Sequence, residues 1–406
     1  MEREPMAGLT SIDLFAGAGG LSEGLREAGF RTLYANELVP TYAATYALNH
    51  SETTVDSRDI RWVDAGAVRR DLGLRPGELD LIAGGPPCQG FSINAPLRST
   101  EDRRNHLFRE FLRFVEEFRP RAVLIENVPG LVSFQNGATL SAILQSLEDL
   151  DYSADVQILY APHFGVPQTR WRTIVLAVQK GNGVQPAFPV PYRHAPMRVN
   201  FTSRFGGRQL VALPRSVELP PHTTVSDAIS DLPRLENGEL GARVKAYATA
   251  PTNDYQRALR AGSPGVFNHE AARLSTVNLE RLAHIPQGGN WTDIPFDLLP
   301  KGMQSARRTD HTKRYGRVHP DGLASTILTK CDPHWGAYFH YDQDRAFTVR
   351  EAARIQSFPD AYQFTGSRVD QYEQVGNAVP PLLGAAVGQS ISAALGAKTD
   401  ALTRVI

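Results

Sequence analysis

Cysteine is almost absent from this sequence of 406 residues, which contains only Cys88 and Cys331. Two thiols exclude a framework of several disulfide bridges and a structural zinc site built from four cysteines. We therefore expect no metal site and a reducing compartment, with the cytoplasm as the default.

Long apolar runs are also missing. No stretch approaches the roughly 20 apolar residues that a membrane-spanning helix needs. The amino terminus lacks the basic segment followed by an apolar core that marks a secretory signal. We therefore expect neither a membrane partner nor export.

Neither sign of charge is in excess, because 43 Lys and Arg residues balance 43 Asp and Glu residues. The overall charge therefore gives no indication of a nucleic-acid partner. The distribution is uneven, however, since residues 193–340 contain 19 basic and 13 acidic side chains. Such a local excess could bind phosphates, although an ordinary solvated surface gives the same count.

Short apolar runs alternate with helical patterns through the first half of the chain, and this alternation predicts an open α/β sheet. Among the helices, residues 107–118 give the clearest pattern, because apolar side chains recur at helical spacing until Pro120. The predicted strands lie near residues 11–15, 32–35, 79–83, 122–125, 156–159 and 173–178.

The regular pattern stops near Gly181, where prolines become frequent, and it resumes near Thr348 with a helix that ends before Pro359. An Ala- and Leu-rich helix follows Pro380 and needs a sheet to cover its apolar face. The sequence therefore predicts a first domain over residues 1–185, an irregular insertion over 186–340, and a return segment over 341–406 that completes the first domain.

Cys88 follows an apolar run that ends in Gly-Gly-Pro-Pro, a combination typical of a strand that breaks into a rigid turn. Ligands bind at the carboxyl ends of strands in open α/β sheets. Cys88 is therefore a candidate nucleophile. The alternative is a buried thiol that serves only as a small hydrophobic side chain.

A glycine-rich turn over residues 16–20 separates the first strand from the first helix, so that the backbone could approach a ligand closely. Glu37 follows Gly17 by 20 positions, at the end of the second strand, where a ribose-binding carboxylate is expected. The turn does not spell the full dinucleotide fingerprint. Asp59 and Ile60, after a third strand, could bracket an adenine.

Glu126 follows the apolar strand 122–125, where a carboxyl group is suited to proton transfer, although it could instead cap a turn. Further along, Gln168, Arg170 and Arg172 alternate, and a period of two places them on one face of a strand. Guanidinium groups in that position suit carbonyl oxygens or phosphates. A solvated edge strand is the alternative.

Taken together, these motifs resemble the DNA (cytosine-5) methyltransferase family of bacterial restriction–modification systems, in order and over nearly the whole chain. The resemblance implies an S-adenosylmethionine-dependent, Rossmann-like methyltransferase sheet with helices on both faces. It also implies that residues 186–340 form a smaller target-recognition domain. The matching segments are 13–20, 86–89, 126–128, 168–172, 350–356 with 358–359, and 376–380.

The family resemblance further implies methyl transfer from S-adenosyl-L-methionine to C5 of a cytosine that is flipped out of a specific double-stranded DNA sequence. Cys88 would attack C6, Glu126 would act at N3, and Arg172 would hold O2. Gln168 and Arg170 would support this arrangement. The base that removes the C5 proton is not identified by the resemblance.

Around the cofactor, the resemblance implies contacts from the glycine turn, the acids and a carboxyl-terminal segment. S-adenosylmethionine carries no phosphate, which explains the incomplete dinucleotide fingerprint. Expected partners are double-stranded DNA and a restriction endonuclease that acts on the same site without direct contact; we expect a monomer in the bacterial cytoplasm. The implied contacts come from Phe15, Gly17, Gly19, Gly20, Leu21, Glu37, Asp59, Ile60, Pro86, Asn377 and Val379.

Three alternatives remain at this point. A tRNA cytosine methyltransferase could use the same scaffold, but the long insertion and the spelling Gly90-Phe91-Ser92 argue against it. A silent DNA-binding regulator would not need the complete set of reactive residues. A nicotinamide oxidoreductase would leave Cys88 and Glu126 without a joint explanation.

Overall fold

The computed structural model describes residues 8–87, 107–181, 183–216, 218–310, 313–330 and 334–396. The strands in these ranges are β1 (Leu9–Leu14), β2 (Phe30–Asn36), β3 (Thr54–Asp56), β4 (Leu81–Gly84), β5 (Ala122–Asn127), β6 (Tyr152–Tyr160), β7 (Gln168–Thr169), β8 (Trp171–Gln179), β9 (Arg204–Phe205), β10 (Arg208–Gln209), β11 (Val244–Lys245), β12 (Val266–Phe267) and β13 (Ala324–Ser325).

The α-helices are α1 (Gly20–Glu27), α2 (Pro40–Asn49), α3 (Ala65–Asp71), α4 (Leu107–Phe118), α5 (Gly130–Ser133), α6 (Ala138–Asp149), α7 (Val225–Ile229), α8 (Asp254–Arg260), α9 (Thr276–Ala283), α10 (Lys301–Gln304), α11 (Val349–Ile355), α12 (Arg368–Asn377) and α13 (Pro381–Ala394). Short 3-10 turns lie at Ile60–Trp62, Phe134–Gly137, Ala161–Phe164, Trp291–Asp293 and Phe296–Leu298.

Seven strands form one sheet in the order β3-β2-β1-β4-β5-β8-β6. Neighbouring strands from β3 to β5 are parallel, whereas β8 runs antiparallel to both β5 and β6. In the ladder, Leu14 is paired with Asn36 and Gly84, and Gly84 is paired with Ile125. The carboxyl ends of four parallel strands therefore lie level at one edge. The predicted α/β fold class is confirmed.

One face of the sheet is covered by α3, α4 and α6. The phenylalanines of α4 carry much of this contact: Phe111, Phe114 and Phe118 are fully buried, and the rings of Phe114 and Phe118 stack with centroids 6.2 Å apart. The predicted helix over residues 107–118 is confirmed, because its apolar spacing does place one face in the core.

The carboxyl-terminal helix α13 packs tightly against α1. A methyl group added at Gly24 of α1 would lie 2.3 Å from the carbonyl oxygen of Pro381. Only a glycine allows the two helix backbones to approach this closely. The last helix therefore returns to the sheet that the first strands build, as the sequence predicts.

The chain divides into two compact units. Of the described residues, the first unit contains those up to Phe164, Trp171–Pro220 and residues 379–396, and the second contains Gly165–Arg170 and Pro221–Ala378. No helix in the described part of the chain combines the length and the apolar character that crossing a membrane requires.

These limits differ from the predicted domain boundaries of 185 and 340. Residues 186–220 join the first unit partly because Ile158 of β6 exchanges backbone hydrogen bonds with Leu210 and Ala212. Residues 341–378 join the second unit, since Arg354 of α11 forms ion pairs with Asp231 and Asp360 in its interior. Buried charges seek partners wherever the fold supplies them.

Candidate active site

The glycine turn leaves β1 through backbone conformations that side chains rarely adopt. Phe15, Gly17 and Gly19 have φ angles of 59°, 57° and 91°. The turn is anchored to the sheet because the Ala16 N–H donates to the carbonyl of Asn36 at 3.0 Å. Apart from its two chain neighbours, no atom of the described residues lies within 4 Å of a methyl group added at Gly17, so these residues leave space for a ligand there. Next to the turn, Gly20 and Leu21 begin α1.

Glu37 lies against this turn. Its carboxylate accepts hydrogen bonds from the backbone N–H groups of Gly17 and Val39, both at 2.8 Å. Burial raises the pKa of Glu37, and the two N–H donors oppose that shift. A carboxylate has about four lone-pair sites, which leaves acceptors for the hydroxyl groups of a sugar. The residues at the turn therefore fit a nucleoside-containing cofactor.

Asp59 and Ile60 lie beyond the end of β3. Asp59 accepts the backbone N–H of Arg61 at 3.0 Å, and its side-chain hydrogen bond with the Arg61 guanidinium holds the pKa of Asp59 below its usual value. Ile60 is buried. The side chain of Asn36, at the end of β2, donates to the carbonyl of Arg58 at 2.9 Å. Asp59 is thereby tied to the edge that carries the glycine turn.

The segment that leads to Cys88 follows β4. Pro86 is buried, and its carbonyl accepts a hydrogen bond from Nδ2 of Asn127 at 3.1 Å. Pro87 ends the described range, so Cys88 lies outside the described residues. The structure therefore fixes the approach to the candidate nucleophile and not the thiol.

Glu126 and Arg172 form an ion pair on the neighbouring strands β5 and β8, with side chains that are 12% and 11% exposed. A methyl group added at Gly85 would lie 3.0 Å from Glu126 Oε2. The carboxylate therefore lies against the segment that leads to Cys88. Two of the predicted site residues are thus brought together, at the sheet edge where ligands bind in α/β folds.

Gln168 and Arg170 have other partners. Gln168 donates to the carbonyl of Ile355 at 3.0 Å and bonds the side chain of Gln356. Arg170 donates to the carbonyls of Gly376 and Ala378, at 2.8 and 2.9 Å. Both side chains are buried in the second unit. Their hydrogen bonds support the backbone around residues 355 and 376–378, whereas the guanidinium of Arg172 is paired with Glu126.

The carboxyl-terminal candidates Asn377 and Val379 flank the boundary between the units. Asn377 is the last residue of α12 and is exposed, whereas Val379 is buried. Arg170 holds the backbone on either side of Asn377 through Gly376 and Ala378.

Sequence reasoning missed several buried polar side chains near the glycine turn. Ser22 is hydrogen-bonded to both Asp13 and Tyr46, and the ring of His50 packs at an angle against that of Tyr46. Asp13 belongs to the turn motif, but its role was not foreseen. The available signal was the spacing of Tyr46 and His50, since residues four apart share a helix face.

Comparison with known proteins decides the family. The C-5 cytosine-specific DNA methylase family matches residues 9–393. The chain belongs to this family. The predicted family and enzyme class, a DNA (cytosine-5)-methyltransferase of restriction–modification type, are confirmed.

Two relatives align with this family member over most of its length. The Type II methyltransferase M.AgeI of Thalassovita gelatinovora is 36% identical, over 95% of this chain and all of the relative. The Type II methyltransferase M1.HphI of Haemophilus parahaemolyticus is 34% identical, over 94% of this chain and 86% of the relative.

Solved structures give the same fold. A prophage-encoded DNA modification methyltransferase of E. coli has a TM-score of 0.71 and 23% identity, over 96% of this chain and 99% of that one. Spodoptera frugiperda DNMT2 has a TM-score of 0.57 and 16% identity, over 94% and 99%. At these identities the likeness concerns the fold, and the predicted methyltransferase sheet is confirmed.

Proposed function

We propose that this family member transfers a methyl group from S-adenosyl-L-methionine to C5 of a flipped-out cytosine in a specific double-stranded DNA sequence, through a covalent bond between Cys88 and C6. The observation that carries the proposal is the Glu126–Arg172 ion pair beside Gly85, three residues before Cys88. An acid, a fixed cation and a nucleophile are the groups that such chemistry needs.

The covalent bond is required by the chemistry of cytosine. Its C5 is a weak nucleophile, and attack of the Cys88 thiolate at C6 pushes an electron pair into the ring. A proton from Glu126 at N3 and the guanidinium of Arg172 at O2 neutralise that charge. C5 would then take the methyl group of the cofactor, which would leave as S-adenosylhomocysteine. A base would remove the C5 proton, the S–C6 bond would break to release Cys88, and the N3 proton would return to Glu126.

The cofactor is S-adenosyl-L-methionine, which supplies an electrophilic methyl group when bound. The open space beside Gly17 and the free acceptor capacity of Glu37 support binding of its amino-acid and ribose parts at the turn. Asp59 and Ile60 are assigned to adenine. The remaining proposed contacts are Phe15, Gly19, Gly20, Leu21, Pro86, Asn377 and Val379.

Double-stranded DNA is the proposed partner, and residues 186–340 are proposed to contain the region that recognises its sequence. A cytosine inside a duplex exposes neither face of its ring, so the base must leave the helix at a cost of a few kcal/mol. Phosphate contacts from basic side chains of this region would offset that cost. We further propose a cytoplasmic monomer that shares its target sequence with a restriction endonuclease.

A side-by-side assay tests the substrate. The purified chain is incubated with labelled S-adenosylmethionine and either DNA or tRNA, and DNA from an expressing host is sequenced after bisulfite treatment. We expect label in DNA alone, with methylated cytosines in one recurring sequence. Label in tRNA alone would replace the proposal with the tRNA alternative.

A further inference from the structure

Five polar side chains around the base of the glycine turn have no part in the proposed methyl transfer. Asp13 precedes the turn on β1, and Ser22 and Glu23 follow it on α1. Tyr46 lies on α2, and His50 caps the carboxyl end of that helix. All five are less than one-tenth exposed. We name them the turn-base cluster. Polar groups are costly to bury unless they are hydrogen-bonded. Hydrogen bonds join Asp13, Ser22 and Tyr46 into a network, the ring of His50 packs against it, and Glu23 is paired with Arg26 of its own helix.

The first part of the network joins the two ends of the turn. Ser22 Oγ donates to Asp13 Oδ2 at 2.6 Å, and the hydroxyl of Tyr46 donates to Ser22 Oγ at 2.6 Å. Phe15, Gly17 and Gly19, which have left-handed φ angles, all lie between Asp13 and Ser22. The hydrogen bond between these two side chains therefore closes the loop, and Tyr46 holds that bond in place.

The second part of the network reaches the turn itself. The ring of His50 hydrogen-bonds the backbone of Gly19 and packs on the ring of Tyr46 with centroids 4.7 Å apart. Its Nε2 lies 3.9 Å from Glu23 Oε2. Burial lowers the pKa of His50, so the ring is neutral near pH 7 and acts through hydrogen bonding and packing.

The same helix also connects this network to the candidate ribose site. Helix α2 begins at Pro40, three residues after Glu37, and Glu37 accepts the N–H of Gly17. Glu37, Tyr46 and His50 therefore all restrain the turn, and all three lie in one continuous segment of the chain, residues 37–50.

We propose that the turn-base cluster is a positioning device that sets the affinity of the glycine turn for S-adenosylmethionine. A glycine-rich turn samples many conformations unless its ends are fixed, and a binding loop that is already ordered loses less entropy when its ligand binds. This inference rests on the proposed function, because it requires the turn to bind that cofactor.

The test compares two tyrosines that are matched in burial and in hydrogen bonding. Tyr46→Phe removes the bond to Ser22, and Tyr152→Phe on β6 removes a bond of equal length, 2.6 Å, to the carbonyl of Pro120. Both tyrosines are fully buried. Calorimetry with the full chain, without DNA, gives the Kd for S-adenosylmethionine and for S-adenosylhomocysteine.

We expect Tyr46→Phe to raise both Kd values about fivefold, and Tyr152→Phe to change them less than about twofold. Ser22→Ala removes the hydrogen bonds of Ser22 to both Asp13 and Tyr46. It should therefore raise both Kd values about tenfold or more. Thermal unfolding of both tyrosine variants is measured in parallel. If both lose similar stability and only Tyr46→Phe loses affinity, the loss of affinity is not caused by the loss of stability.

The possible outcomes separate this inference from the function on which it rests. If the wild-type chain binds the cofactor and the two tyrosine variants bind it equally well, the positioning role is wrong and the proposed function stands. If the wild-type chain binds neither compound, the proposed cofactor fails, and the inference fails with it.

Discussion

Two buried acids of the first unit, Asp13 and Glu37, have surroundings different from those of two buried acids of the second unit, Glu351 and Asp360. In the first unit, Asp13 accepts a hydrogen bond from Ser22, and neither Asp13 nor Glu37 has an ion-pair partner among the residues described. In the second, Glu351 is paired with Arg345 at 2.6 Å and Asp360 with Arg354 at 2.7 Å. Asp13 and Glu37 lie on either side of the glycine turn. Glu351 and Asp360 instead form ion pairs inside the second unit.

The pKa values follow the same division. Burial raises the pKa of Asp13 to about 7, against an opposing hydrogen bond from Ser22. Burial acts on Glu351 as well, but the attraction and hydrogen bonding of Arg345 hold the pKa of Glu351 well below its usual value. Glu351 and Asp360 are held by arginines inside the second unit, whereas Asp13 and Glu37, which have no such partner among the described residues, lie beside the turn where the cofactor is proposed to bind.

The largest expected effect comes from breaking the buried ion pairs of the second unit. Arg354→Met removes the buried cation that bridges Asp231 and Asp360 and leaves them only their weaker pairs with Arg260 and Arg350. We expect a loss of about 3–5 kcal/mol in the free energy of unfolding. Urea denaturation measures it. The control is Arg257→Met, which removes an exposed pair with Asp254 and should cost less than about 1 kcal/mol. Equal losses would contradict the structural role.

In the first unit, removing the arginine of the Glu126–Arg172 ion pair should lower the rate of methyl transfer rather than the stability. Arg172→Ala removes the cation that is proposed to hold cytosine O2, and we expect kcat to fall about 100-fold or more, with a smaller change in DNA affinity. Single-turnover kinetics and equilibrium DNA binding separate the two quantities. Equal losses in both would argue against the O2 role.

The response to pH should also distinguish the units. Because the pKa of Asp13 is raised from 3.8 to about 7, its contribution to stability is complete below pH 3.8 and is lost as pH rises through 7. Asp13→Asn removes this loss. We expect the free energy of unfolding to fall between pH 5 and pH 8 by about 2 kcal/mol less in the variant than in the wild type. Identical profiles would show that Asp13 does not titrate in this range.

A smaller effect is expected at the candidate ribose site. Glu37→Gln keeps one carbonyl acceptor for the backbone but loses the charge, and we expect cofactor affinity to fall about tenfold. Calorimetry measures it. Glu148→Gln, at an exposed pair with Lys180 in the same unit, is the control and should bind normally. A normal Kd for Glu37→Gln would remove Glu37 from the cofactor site.

Local patterns predicted the first unit well. The apolar spacing of α4 and the strand-ending Glu126 were visible because strand and helix periods reflect contact with one sheet. The spacing between Gly17 and Glu37 likewise placed both residues at one candidate ligand site, since it spans a single strand–helix–strand unit, and in the structure the two are hydrogen-bonded.

The domain boundaries and the partners of Gln168 and Arg170 were not predictable in the same way. Arg354 meets Asp231 across 123 positions of the chain, and Arg170 meets Ala378 across 208. No local period reports such pairings. The turn-base cluster was missed for a related reason, because Tyr46 and His50 resemble ordinary helix residues until α2 is placed beside the turn.

The most direct test of the covalent mechanism uses duplex DNA in which the target cytosine carries fluorine at C5. Fluorine cannot leave as the proton does, so the bond between Cys88 and C6 should persist once the methyl group has been added. We predict a DNA-linked protein band on a denaturing gel that requires S-adenosylmethionine and is absent with Cys88→Ser. A band that persists in Cys88→Ser, or no band from a chain that methylates ordinary DNA, would contradict the mechanism.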